Sequence, residues 1–399
     1  MNLPNLDKIS FTNKKVLLRI DINSPVVKGK IALGPRFLQS NITIKELLDK
    51  KAKVVIIAHQ GRKESKDFLS LEQHAKILSK YLEKDIKFVP YLFGEKALIE
   101  IENLEPGKSI LLENVRASDD ELNINDINNR YHSFCRLFDI YVNDAFSVSH
   151  REHGSIVIPP LHLRSFIGRI FERELNAAEH FSLNKAESTA LVLGGAKVED
   201  YLQLFDSLKK KKNKMLVSGV LANLILIAKG KNLGYENLWI IEQGYEPLIH
   251  KLKELVERYE KQIILPIDFA FGDVKRKEIT LEKAPFKDKI WDVGKKTVSL
   301  FKNQLEDVEA IFMKGPLGFS EIRQFSKSTV ELLEFISELT EKKKIFSLLG
   351  GGHLTTTIEK YKIQKNFSYI SLSGGALIQY LSGKKLPGIE AIEKCEFNR

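Results

Sequence analysis

The sequence predicts an α/β protein of two domains, each a parallel sheet covered by helices on both faces. Short apolar, β-branched runs alternate with stretches of helical periodicity, the pattern of strands buried on both faces of a parallel sheet. A chain of 399 residues is too long for one compact core, so its strands divide between two. The loops after the runs change midway from charged side chains to glycine pairs and triplets, which marks the passage from one domain to the next. Doubly wound, Rossmann-like sheets bind ligands beyond the carboxyl ends of their strands, so these loops are where chemistry is expected.

In the first half the strand-forming runs are VLLRIDIN (16–23), KVVIIAHQG (53–61), ILLENVR (110–116) and IYVNDAF (140–146). Their loops carry Asp21, Asn23, Arg36, His59, Arg62, Arg116, His150 and Arg151. In PPLHLRSFIGRIFERELNAAEHF (159–181) the double proline ends one element. From about Gly168 a helix is expected, with Ile167, Ile170, Phe171, Leu175, Ala178 and Phe181 sharing much of one face. A hinge helix over 169–182 then separates a first domain at 1–168 from a second that starts at 183. The second-half runs are ALVLGGAK (190–197), MLVSGVLAN (215–223), IILPIDFAF (263–271), AIFMKGPLG (310–318), IFSLLGGGH (345–353) and YISLSGGA (369–376). Between the first two lies KKKKNK (209–214), which reads as a solvated helix end.

Composition narrows the function. Hydrophobic residues make up 43% of the chain, enough to build cores and too many for a disordered protein. MNLPNLDKIS at the start lacks the apolar centre of a signal peptide, and LILIA (224–228) is far too short to span a membrane. Cys135 and Cys395 offer no disulfide framework and suit a reducing compartment, so a cytoplasmic protein is expected. A net charge of +10 admits nucleic acid or small, highly charged anions as partners. Without an RNP-type aromatic motif, a zinc finger or a basic heptad helix, the charge points to acidic substrates and away from nucleic acid.

The first-half arginines sharpen that reading. A single loop arginine is ordinarily a solvated or structural ion pair. Arg36, Arg62, Arg116 and Arg151 on one side of one sheet are different, because crowded like charges destabilise a fold unless an anion joins them. Guanidinium forks match planar, multiply charged oxyanions, and His59 adds a donor. Asp21 and Asn23 either cap a turn or grip a substrate hydroxyl, and their spacing puts both on one face of an extended strand. In the second half, LVLGGAKVEDY (191–201) joins a strand, a glycine turn and Lys197, yet no serine or threonine follows the lysine as a Walker A loop requires. Gly350, Gly351 and Gly352, the pair Gly374 and Gly375, and GPLG (315–318) repeat the theme, since glycine lets the backbone approach a phosphate or a flat ring. Glu321 is either a helix N-terminal acid or an acceptor for ribose hydroxyls. No G-x-G-x-x-G opens the first strand–helix unit, which argues against a dinucleotide oxidoreductase.

These residues resemble the phosphoglycerate kinase family, and within it the archaeal-like branch. The resemblance runs from RIDINSP (19–25) to LPGIEA (386–391) through AHQGR (58–62), LLENVR (111–116), YVNDAF with HREHGS (141–155), LGGAKVED (193–200), GPLGFSE (315–321), LLGGGH (348–353) and SLSGGALIQYLSGKKLPG (371–388). It implies an enzyme, a phosphotransferase with a carboxyl acceptor, that moves a phosphoryl group between 1,3-bisphosphoglycerate and ADP by hinge closure and in-line transfer, giving 3-phosphoglycerate and ATP with Mg2+ as cofactor. It further implies that Asp21, Asn23, Arg36, His59, Gln60, Gly61, Arg62, Arg116 and Arg151 bind the phosphoglycerate. Gly195, Ala196, Lys197, Gly219, Pro316, Glu321, Gly350, Gly351, Gly352 and His353 would hold the nucleotide, with Arg36 and Lys197 catalytic. The nucleotide domain would cover 183–385, and the segment 386–399 would return to the first domain. A monomer or a homodimer fits the family.

The sequence departs from the family pattern at several points. Tyr201 stands where many members have a second lysine, so one positive charge is absent or supplied from elsewhere. His353 and Leu354 replace an aspartate and a threonine after the triple glycine, and histidine is a poor partner for magnesium. Metal contact would run through water and phosphate, or through Asp200. Met313 and Lys314 replace a tryptophan–asparagine pair, and Ser373 stands at a common glycine position. These changes motivate an alternative, a catalytically weakened homologue that binds nucleotide or RNA.

Overall fold

The structure is a computed structural model that describes residues 3–7, 9–182, 186–272, 275–364 and 366–396. The chain folds as two compact units, residues 1–176 with 384–399, and residues 177–383.

The first unit opens with β1 (Lys15–Arg19) and a small antiparallel hairpin of β2 (Val26–Val27) and β3 (Lys30–Ile31). It continues with β4 (Lys53–Ile57), β5 (Ile86–Val89), β6 (Ser109–Leu112), β7 (Ile140–Asn143) and β8 (Arg164–Ile167). All but the hairpin form one parallel sheet in the order β5-β6-β4-β1-β7-β8. The two-residue period of a strand sends alternate residues to opposite faces. Val16, Leu18, Val54, Ile56, Ile140 and Val142 pack with α1 (Pro35–Asp49) and α2 (Glu72–Leu82). Leu17, Val55, Ile57, Ile110, Leu112 and Tyr141 pack on the other side with α3 (Glu95–Glu102) and α4 (Arg130–Phe134). A short helix, α5 (Gly154–Val157), follows β7.

The linking helix, α6 (Arg169–Ser182), is capped by Asp144, whose Oδ1 accepts the N–H of Ile170 at 2.8 Å and of Phe171 at 3.0 Å. Phe171, Leu175, Ala178 and Phe181 are buried, as their spacing predicts. Ile167 departs from that expectation, since it ends β8 opposite Asn143 and lies outside the helix. The boundary between the two units falls inside α6, between residues 176 and 177. The reason is packing: Phe171 meets Phe146 in the first unit, while His180 and Phe181 meet Phe346 and Phe312 in the second. Residue 183, where the sequence reading starts the second domain, lies outside the described residues, as do 397–399.

The second unit runs through β9 (Thr189–Leu193), α7 (Val198–Leu202), β10 (Lys214–Val217), α8 (Gly219–Ala228), α9 (Tyr235–Glu242), α10 (Glu246–Tyr259) and β11 (Ile263–Ile264). After β12 (Asp268–Phe271), β13 (Lys277–Thr280) and β14 (Asp292–Val293) come α11 (Lys295–Leu305), β15 (Ala310–Lys314), α12 (Lys327–Lys343), β16 (Phe346–Gly350), α13 (Gly352–Lys360), β17 (Tyr369–Ser371) and α14 (Gly374–Leu381). Its main sheet is parallel, in the order β11-β10-β9-β15-β16-β17. Ala190, Val192, Leu216, Ile311, Met313 and Leu349 form a core with α11, α12 and α13. The run IILPIDFAF, expected as one strand, is two. Pro266 brings no N–H to a ladder, so β11 stops in the main sheet and β12 starts a separate antiparallel sheet, β13-β12-β14. Lys209, Lys210, Lys211 and Lys212 are exposed ahead of β10, as expected of a solvated run.

The chain re-enters the first unit from residue 384, and α15 (Pro387–Glu393) packs on α5. Gly388 donates its N–H to the Ser149 carbonyl at 2.9 Å, and the Cys395 thiol donates to the Leu163 carbonyl. Among the described residues no helix is long and apolar enough to cross a membrane.

Candidate functional site

Parallel strands deliver their following loops to one edge, and in the first unit that edge collects the expected residues. Asp21 lies just past β1 with Arg36, from the first turn of α1, at 3.2 Å. Arg36 also donates to the Asn23 carbonyl at 3.3 Å. Asp21 and Asn23 do not share a strand face as the spacing suggested, because β1 ends at Arg19 and the chain turns. The Asn23 N–H donates to Asp21 Oδ1 at 3.0 Å, while Asn23 Oδ1 accepts the Gly61 N–H at 2.9 Å. Burial alone would raise the Asp21 carboxyl. Arg36, His59 and hydrogen bonds from Ser147 and the Asn23 N–H outweigh it, so it stays ionised well below the usual carboxylate range.

His59 follows β4 and is buried, 4.0 Å from Asp21 Oδ1 and 3.2 Å from an Arg19 nitrogen. Burial pushes its pKa well below 6.5; Asp21 opposes this, and Arg19, Arg116 and Arg36 reinforce it. A neutral imidazole results, whose Nδ1 accepts from Arg19 and adds no cation to the cluster. The Gln60 side chain turns inward. It is fully buried, donates to the Ser24 and Asp67 carbonyls and accepts the Ser24 N–H at 2.9 Å, so it braces the loop. Gly61 sits at φ +66°, and a Cβ there would lie 2.4 Å from the Asp67 backbone. Its carbonyl accepts from Arg116.

The remaining guanidiniums crowd one another. Burial, then Arg151 and Arg19, push Arg116 down to about 10. Burial and Arg62 lower Arg151, and Arg62 itself is exposed at the loop tip. Without a ligand this cluster is electrostatically frustrated, and an oxyanion is the natural remedy. Sequence reasoning missed Arg19 and Glu121. Arg19 is 1% exposed and donates from Nε to Ser155 Oγ at 3.0 Å, and Ser155 Oγ donates to Glu121 Oε1 at 2.8 Å. The available signal was an arginine ending an otherwise apolar strand, VLLR.

In the second unit the glycine loops interlock at the carboxyl ends of β9, β10 and β15. Gly194 donates to the Lys314 carbonyl at 2.9 Å, Ser218 donates to that of Leu193 at 2.8 Å, and Val220 donates to that of Gly195 at 3.1 Å. Gly195 and Gly219 both have positive φ, and Pro316 is buried against Gly194. Ala196 and Lys197 are exposed at the rim. Gly350 ends β16, Gly351 has φ +105°, and Gly352 opens α13, which presents unbonded amides and a positive dipole end. His353 and Glu321 meet at 3.2 Å on the surface, 72% and 51% exposed. Glu321 thus stands beside the amino end of α13, and His353 is bonded to it by Nδ1.

Asp200 is paired with Lys314 at 3.5 Å, and no group of three or more His, Cys, Asp or Glu able to hold a metal ion occurs among the described residues. This donor set fits a magnesium ion that arrives on nucleotide phosphates and keeps most of its waters, rather than one held in a protein cage.

Two doubly wound sheets, one edged with guanidiniums and the other with glycine turns and lysines, define a phosphotransferase architecture. The comparisons make it specific. The phosphoglycerate kinase family model matches residues 6–384. The phosphoglycerate kinase of Methanopyrus kandleri is 36% identical over 406 residues, covering 100% of this chain and 99% of that protein. That of Sulfurisphaera tokodaii is 37% identical, covering 98% and 96%. The crystal structure of the enzyme from Pyrococcus horikoshii superposes with a TM-score of 0.91 at 32% identity, covering all of both chains. The Coxiella burnetii structure gives 0.81 at 28%, covering 98% and 99%. The chain belongs to the phosphoglycerate kinase family, a family of kinases.

Proposed function

We propose that this protein catalyses reversible phosphoryl transfer between 1,3-bisphosphoglycerate and ADP, giving 3-phosphoglycerate and ATP, in the cytoplasm and in glycolysis or gluconeogenesis. The observation that carries the reading is the mutual repulsion of Arg116, Arg151 and Arg62 beside the Arg36–Asp21 pair. A small, multiply charged anion relieves it. The first unit takes the phosphoglycerate: Arg62, Arg116 and Arg151 meet its phosphate, and Arg36 reaches the carboxyl end. Asp21, ionised and fixed by Arg36, accepts from a substrate hydroxyl; Asn23, His59 and Gly61 hold that loop in shape.

The second unit takes the nucleotide. Amides at Gly195, Ala196, Gly219 and the start of α13 face the phosphates, Pro316 holds the turn, and Glu321 with His353 meets the ribose side. Magnesium bound to the phosphates would neutralise part of their charge. In the direction of ATP synthesis a β-phosphate oxygen of ADP forms the new bond to phosphorus. The bond from phosphorus to the acyl oxygen breaks, and its electron pair leaves on the carboxylate. No proton need move and no protein nucleophile is required, so positioning and charge neutralisation carry the rate. Arg36 stabilises the departing carboxylate, and Lys197 the moving phosphoryl group.

A coupled assay with 3-phosphoglycerate, ATP and magnesium, with a no-metal control, tests the reading. Wild type turns over, and Arg36→Ala and Lys197→Ala each lower kcat by about 10²–10³-fold without loss of fold. Wild-type turnover in Lys197→Ala would remove that loop from the mechanism. A binding-only homologue would instead show no transfer and an RNA affinity falling steeply with salt.

A further inference from the structure

We propose that Lys314 is a second phosphate-binding cation of the nucleotide site, delivered from the end of β15, and that Asp200 holds it in place between turnovers. The inference rests on the nucleotide reading of the second unit. Lys314 is the last residue of β15, registered opposite Leu193 of β9 on one side and Gly350 of β16 on the other. It therefore sits between the loop that bears Lys197 and the loop that opens α13. Its Nζ lies 3.5 Å from Asp200 Oδ2 and donates to the Gly374 carbonyl at 3.2 Å, at the start of α14. The ammonium thus lies between α7, which bears Asp200, and the start of α14.

Apart from Lys197 at the rim, the loop after β9 brings no cation to this spot among the described residues. Tyr201 is 2% exposed, and its hydroxyl donates to the Gly194 carbonyl at 2.6 Å, so it braces the turn from below. The Lys314 ammonium lies over the Tyr201 ring, 5.8 Å from its centre.

Stability does not explain a lysine here. Its side chain is 8% exposed, while its ionic partner Asp200 is 40% exposed and worth little. Burial, partly offset by Asp200 and reinforced by Lys197, pushes its pKa down to about 8. An apolar side chain of equal size would satisfy this position at lower cost. Burial of an ammonium against a like charge is what a site for a polyphosphate requires, because a fixed cation in a dry pocket acts strongly on charge developing nearby. With nucleotide bound, Lys314 donates to phosphate oxygens, and Lys197 neutralises the same group from the rim.

Lys314→Met tests this through nucleotide binding and turnover together. The ligand-free variant is expected to melt at or above the wild-type temperature. ADP affinity by calorimetry should fall about tenfold, kcat about 10²-fold, and the KM for 3-phosphoglycerate should hold. Lys314→Arg should recover most of the loss. Unchanged ADP affinity and kcat within twofold of wild type would overturn the proposal. Should Lys314→Met not fold, acetylation of Lys314 in the wild-type enzyme serves instead: ADP is expected to slow it, and an unaltered rate overturns the idea. If the wild-type protein transfers no phosphoryl group, the functional reading falls, while the ADP isotherms still decide the role of Lys314.

Discussion

Gly194 and Gly352 both follow strands of the second sheet, yet they are glycines for different reasons. A methyl group on Gly194 would meet the Pro316 carbonyl oxygen at 2.1 Å and Ser218 Oγ at 2.7 Å, and neither can retreat without opening the joint between β9, β10 and β15. A methyl on Gly352 meets nothing within 4 Å, and its backbone needs no positive φ. Gly194→Ala is therefore expected to destabilise the second unit by roughly 2–4 kcal/mol in urea unfolding, the range for overpacking joined to a lost backbone bond. Gly352→Ala is expected to melt like wild type and to bind ADP more weakly, because only a ligand comes close enough to notice the methyl. Wild-type ADP affinity in Gly352→Ala would take the start of α13 out of the nucleotide site. At this scale much of the site was readable, since arginines and glycine clusters after strands announce themselves by type. Gln60 and Lys314 could not be ranked in the same way. Sequence shows a polar residue beside a motif but not whether its side chain braces backbone, as that of Gln60 does, or is also paired with a charged neighbour, as Lys314 is with Asp200.

The helix that carries the chain from one unit to the other starts on a costly cap. Asp144 accepts two α6 amides through Oδ1, while Oδ2 is buried with no partner among the described residues. Burial outweighs the pull of the Thr43 hydroxyl, those amide bonds and Arg173, and pushes the carboxyl from its ordinary 3.8 up to about 7. The folded state therefore keeps a proton that the unfolded chain releases near 3.8, so this contribution to stability is full below that pH and is lost as pH rises through about 7. Asp144→Asn, which keeps the Oδ1 acceptor and cannot ionise, should raise the melting temperature at pH 8, by on the order of 1–2 kcal/mol in stability. The gain should shrink through pH 7 and vanish near pH 4. A gain that did not vary with pH would mean that the charge on Asp144 is not what the cap costs. The span of α6 was readable from its spacing of apolar residues, but its start was not. Ile167 fits the helical stripe and also the ladder of β8, and only pairing with Asn143 decides between them. Likewise the nine residues of IILPIDFAF hold two strands of two sheets, and the break was visible in Pro266.

Two separate cores imply two separately addressable stabilities. The apolar clusters that hold the first sheet draw only on residues of the first unit, and the cluster of the second sheet only on the second. A ligand that binds only the folded form of one unit stabilises that unit by RT ln(1 + [L]/Kd), about 2.7 kcal/mol at a hundredfold excess over Kd. Hydrogen exchange then reads the assignment of ligands to units without any need for turnover. 3-Phosphoglycerate should slow the slowest-exchanging amides of β1, β4 and β7, and ADP with magnesium those of β9, β15 and β16. The contrast matters because net charge cannot supply it. An excess of ten positive charges attracts both ligands, and it would draw RNA as well. What separates the partners is local, guanidinium forks at one set of strand ends and amide-lined turns at the other. ADP protection that appeared in β1 and β4 would reverse the roles given to the two units, and with them the reading of every loop in both.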